Sequence, residues 1–112
     1  MPRTLPRPIV NPDPQVTDMK ALGRLVRDRR GQIAMRIDDA AALMGVSKSM
    51  LSRLENGQSV SLDKVFKVLD GLGLTLLLFD HQAAGFVLRQ RRMRIEQRER
   101  EQAGARAGEQ ET

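Results

Sequence analysis

The apolar residues of this chain change their spacing from segment to segment, and the spacing predicts a small helical protein. Met19, Leu22, Leu25 and Val26 recur at helical intervals between residues 17 and 30. Thr17 is placed to cap that helix, Asp18 falls in its first turn, and Arg29 and Arg30 precede Gly31. A short Ala-rich helix over 37–44 should close at Gly45, a residue suited to the left-handed conformation that ends a helix. About three residues later Ser47 caps a third helix that runs to about Asn56, with Gly57 as its stop. Ser61 can cap a fourth, whose buried stripe is Leu62, Val65, Phe66, Val68, Leu69 and Leu72, ended by Gly71 or Gly73.

The pattern then breaks. Leu74, Thr75, Leu76, Leu77, Leu78 and Phe79 are β-compatible without helical period, which suggests a short strand buried on both faces. A strand needs a partner. Within the chain the one option is the extended stretch at Ile9 and Val10; otherwise the partner is the same strand of a second subunit, making the protein a homodimer. All five prolines lie before residue 15, so residues 1–16 read as an extended arm. Residues 17–81 form the folded domain, and 82–112 a charged extension, partly helical, supported by Arg92 with Glu96 and Glu96 with Arg100, and disordered from about Gly104. The expected fold is therefore all-α, a bundle of four to five helices followed by a short C-terminal β-strand that pairs across a dimer.

Composition narrows what such a bundle does. The 112 residues suffice for one small domain, and with Phe66, Phe79 and Phe86 as the only aromatic residues its core is aliphatic. The absence of cysteine excludes disulfides and thiolate zinc sites and fits a cytoplasmic protein; one histidine, His81, makes no metal cluster, and no cofactor is implied. The longest apolar run is far below the ~20 residues that span a bilayer, and the Pro-rich N-terminus lacks the apolar core of a secretory signal, so no membrane partner is expected. A net charge of +5 favours an anionic partner, nucleic acid before an acidic protein surface. An enzyme is not expected: the serines serve as caps or lie on one polar face, and the adjacent Asp38 and Asp39 point in different directions on a helix.

The stretch "GVSKSMLSRLENG" carries the sharpest signal. Lys48, Ser49, Ser52 and Arg53 are spaced to share one face, while Leu51 and Leu54 lie on the other. Helix, a Gly-containing turn and a capped second helix make the helix-turn-helix pattern, in which the second helix enters the major groove of DNA. Residues 22–57 resemble the lambda-repressor and Cro family, also called the XRE family, through "LGRLVRDRR", "AALMGVS" and "SKSMLSRLENG". The continuation "VFKVLDGLGLTLLLFD" resembles the HipB-like antitoxins. That resemblance implies a dimeric repressor of its own operon that reads a palindromic operator and binds a toxin of kinase fold.

Carried over residue by residue, the resemblance implies base reading by Lys48, Ser49 and Arg53, with Ser52 beside them and Met50 bordering the face near a thymine methyl. It implies cap and phosphate-contacting roles for Ser47 and Asn56, and an ion pair of Arg30 with Glu55 that ties the first helix to the third. The family's second helix usually opens on Ser or Thr followed by Gln, the Gln holding a phosphate. Here Arg36 and Ile37 stand in those places, and Arg36 is the phosphate-binding alternative. Two further basic segments are candidates for contact: Arg3 and Arg7 in the arm can enter the minor groove, and the run "RQRRMR" at 89–94 can grip phosphate or acidic protein, although Arg-rich stretches interleaved with Glu are commonly just solvated. A stand-alone or phage-type regulator of the same family, or a mainly protein-binding module with weak DNA binding, are the alternatives.

Overall fold

The computed structural model of the protein describes residues 5–7 and 9–110. These residues form five helices, α1 (Met19–Gln32), α2 (Ile37–Met44), α3 (Lys48–Glu55), α4 (Leu62–Gly71) and α5 (His81–Gln110). There is no strand among them. The chain divides into two compact units, one ending at Leu76 and holding α1 to α4, the other beginning at Leu77 and holding α5.

In the first unit α3 lies between α1 and α2, and α2 also packs on α4. Val26 of α1, Ala40, Ala41 and Met44 of α2, Met50, Leu51 and Leu54 of α3, and Val65, Val68, Leu69 and Leu72 in and after α4 form the buried core. Gly23 sets the spacing of α1 and α3: a Cβ there would strike the Leu54 carbonyl and lie 2.7 Å from that of Glu55. Arg29 Nε donates to the Leu72 carbonyl at 2.8 Å, so α1 also satisfies an end carbonyl of α4. The stripe of α4 is narrower than its sequence suggests. Leu62 and Phe66 are 62% and 49% exposed, because they sit one turn apart on a side of α4 that the described residues leave uncovered.

Caps define the helix ends. Asp18, not Thr17, caps α1: its Oδ1 accepts the Ala21 N–H at 2.8 Å, and its charge meets the positive end of the helix dipole. All four helices of this unit end in one hydrogen-bond pattern, with Met35, Val46, Gln58 and Leu74 donating backbone N–H groups to the carbonyls of Arg30, Ala41, Arg53 and Leu69. The residue before each donor is left-handed. Glycine fills that place at Gly45, Gly57 and Gly73, but Ala34 fills it after α1, with φ of 52°. Consequently α1 does not stop at Gly31 and runs on to Gln32. Ala34→Gly should relieve ~1–2 kcal/mol of left-handed strain against ~0.4–1 kcal/mol of added unfolded-state freedom. Urea unfolding should therefore show a small gain in stability; a loss would mean that Ala34 is not strained.

The arm does not supply a strand partner at Ile9 and Val10. The Ile9 N–H donates instead to the carboxylate of Asp28, a buried residue of α1 whose other oxygen accepts from Gln32 Nε2 at 3.1 Å. Arg7 is exposed, and Arg3 lies outside the described residues. Contrary to expectation, Leu74, Thr75, Leu76, Leu77, Leu78 and Phe79 form no strand, because among the described residues no second strand is present to complete a ladder. Leu77 and Leu78 are 66% and 89% exposed.

The second unit is a single helix of 30 residues, about 45 Å long at ~1.5 Å per residue. Asp80 caps it, its Oδ1 accepting the Ala83 N–H at 2.8 Å. The helix continues through Gly104 and Gly108, so the disorder expected from about Gly104 is replaced by helix to Gln110. Residues 89–103, built of Arg, Gln, Glu, Met, Ile and Ala, are mostly good helix formers and carry it that far. No helix among the described residues is long and apolar enough to cross a membrane.

Candidate nucleic-acid interface

The exposed side of α3 is prepared by its cap and its core. Ser47 has extended backbone, φ −75° and ψ 150°, and its Oγ accepts the Met50 N–H at 3.0 Å. Gly45, left-handed at φ 70°, turns the chain from α2 into that cap. Met50, Leu51 and Leu54 then anchor α3 in the core. Lys48, Ser49 and Arg53 are left exposed and Ser52 half-buried, all on the opposite side.

Met50 does not border this face. It is 5% exposed because it stands one turn before Leu54 and shares that residue's buried side, so it cannot meet a thymine methyl. Arg53 is exposed, but its Nη2 donates to the Ser59 carbonyl at 3.0 Å and so fastens the loop that follows α3. The Asn56 amide donates to the Ser52 carbonyl at 2.7 Å, capping the end of α3 rather than projecting as a free donor. Arg36 occupies the N-cap position of α2 without a side-chain cap bond and is exposed.

Arg30 and Glu55 meet below this surface. The guanidinium is bidentate, with Nε on Oε2 at 2.8 Å and Nη2 on Oε1 at 2.7 Å, and the side chains are 9% and 6% exposed. Arg30 Nη1 also donates to the Met35 carbonyl at 3.1 Å, so one side chain ties α1, the α1–α2 turn and the end of α3.

One partner is absent from the sequence reading. Lys48 Nζ lies 3.0 Å from Asp38 Oδ1, joining the first residue of α3 to the first turn of α2. The hydrogen bond and charge of Lys48, helped by the charge of Arg36, hold the Asp38 carboxyl below the ordinary carboxylate range. Ten residues separate the two, and only the reversal at Gly45 brings them together; the pairing has no local spacing signal.

A compact bundle thus presents a capped, eight-residue helix with a polar outer face directly after a glycine turn. The family whose sequence pattern matches is described as Helix-turn-helix, over residues 26–79. The match begins within α1 and takes in α2, α3, α4 and the segment after it. Domains of this family bind DNA in transcription regulators and are not an enzyme family. No curated protein matches the chain. Within the matched segment α2, the turn at Gly45 and α3 follow one another in the order of a helix-turn-helix motif.

Proposed function

We propose that the protein is a sequence-specific transcriptional repressor whose α3 reads the major groove, two copies together recognising a palindrome with half-sites about one turn, ~10 base pairs, apart. The observation that carries this reading is the division of α3: Met50, Leu51 and Leu54 fix it from below, and Lys48 and Ser49 stand exposed at its N-terminal end. Lys48 can donate to the O6 and N7 of guanine and Ser49 can donate or accept; Arg53 and Ser52 flank them. Arg36 and the N–H groups at the start of α3 beside Ser47 supply phosphate contacts, and Asn56 steadies the far end of the helix.

Homodimer formation is supported by exposed apolar side chains, Leu62 and Phe66 on α4 and, separately, Leu76, Leu77, Leu78 and Phe79. Among the described residues the N–H groups of 75–79 have no partner, and antiparallel pairing with a second copy would satisfy them. The biological context proposed is antitoxin autoregulation, with the kinase-fold toxin as second partner. It rests on the resemblance of "VFKVLDGLGLTLLLFD" to HipB-like antitoxins. Phe86 and Met93 of α5, seven residues apart and 56% and 62% exposed, offer a protein partner an apolar contact.

The test is binding to the chain's own upstream DNA. Lys48→Ala should lower operator affinity by ~1–3 kcal/mol and relax preference at one base position, leaving the fold intact. Unchanged preference in that variant would remove Lys48 from the reading face.

A further inference from the structure

The ion pair of Lys48 with Asp38 serves no evident purpose in the fold. Its side chains are 61% and 55% exposed, and exposed pairs add little to stability. Its placement is also costly for a DNA-binding surface, since it sets a carboxylate 3.0 Å from an ammonium of the proposed reading face, which an anionic duplex would have to approach. With Asp39 beside it, the first turn of α2 carries two negative charges.

We infer that Asp38 is a positioning residue that makes Lys48 discriminate: it withholds the ammonium from random phosphates and aims it at base acceptors in the correct site. This rests on the reading of α3 as the DNA-reading helix. On random DNA, a Lys48 contact to phosphate must either break the 3.0 Å pair or carry the Asp38 carboxylate toward the anion, so little affinity results. At the operator neither is needed. An ammonium has three donors, so Lys48 can keep Asp38 on one and give the others to guanine O6 and N7. Without Asp38 the same ammonium would be a free cation on a flexible stem, able to grip any phosphate.

The test compares wild-type protein with Asp38→Asn, Asp38→Glu and Asp39→Asn on upstream and scrambled duplexes across a salt series, with circular dichroism to verify folding. Asp38→Asn should tighten binding to scrambled DNA several-fold, steepen its salt slope by ~0.9 for the one added phosphate contact, and lower the specific-over-random ratio. Asp38→Glu should restore much of the ratio. Asp39→Asn removes the same charge without touching the pair and should raise affinity for both duplexes by a common factor, leaving the ratio in place. An unchanged ratio in Asp38→Asn, or an equal fall in Asp39→Asn, would overturn the inference while leaving α3 as the reading helix. A wild-type protein with no preference for upstream DNA would overturn both.

Discussion

Arg30→Met should lower the stability of the helix-turn-helix domain by ~3–5 kcal/mol, a large share of the ~5–15 kcal/mol that holds a domain of ordinary size. The loss comes from what remains. Glu55, 6% exposed, would be left as a buried carboxylate without its two guanidinium bonds, and the Met35 carbonyl would lose its donor in the same step. Because the pair links α1 to the end of α3, the change should appear as cooperative loss of helix in urea unfolding followed by circular dichroism. Replacing both members, Arg30→Met with Glu55→Leu, should recover much of the loss, since the desolvation cost of the charges goes with them. A single variant as stable as the wild type would mean that the pair is solvated and does not tie α1 to α3.

Leu51→Ala should cost ~2–5 kcal/mol. Leu51 is fully buried, at the centre of a core contributed by all four helices of its unit, and removing three of its carbons leaves a cavity directly beneath α3. Ser49→Ala, two residues earlier on the exposed side of the same helix, should change stability by no more than ~0.5 kcal/mol. Unfolding measured on the two variants therefore separates the packed from the presented side of α3. Similar losses in both would contradict the assignment of the two faces.

The helix-turn-helix core was legible because its signals are local. Gly45, Ser47 and Gly57 each end or start a helix through a turn or cap that involves only near neighbours, and Leu51 and Leu54 reveal their side by spacing alone. The same reasoning misplaced Met50, although its distance from Leu54 puts it on the buried side. It missed the end of α1 because alanine rarely marks a left-handed position, which at Ala34 is imposed by the carbonyl bonds around it. Leu62 and Phe66 fit the helical stripe of α4 yet face outward, since periodicity shows which residues share a side and not how much of that side a neighbour covers. The strand expected at 74–79 does not form among the described residues: an apolar run without helical period marks a β-compatible segment but supplies no partner for its N–H and C=O groups. Asp38 with Lys48 and Arg29 with the Leu72 carbonyl join residues that only the folded chain brings near each other.

The most direct measurement is titration of the purified full-length protein with its own upstream DNA and with a scrambled duplex of equal length and composition, repeated across a salt series. Tight, salt-sensitive binding with a specific-over-random ratio of ~10³ or more, protecting two half-sites about one helical turn apart, is the expected result. Equal affinity for both duplexes at every salt concentration would contradict it, and would mean that Lys48 and Ser49 face DNA without reading it.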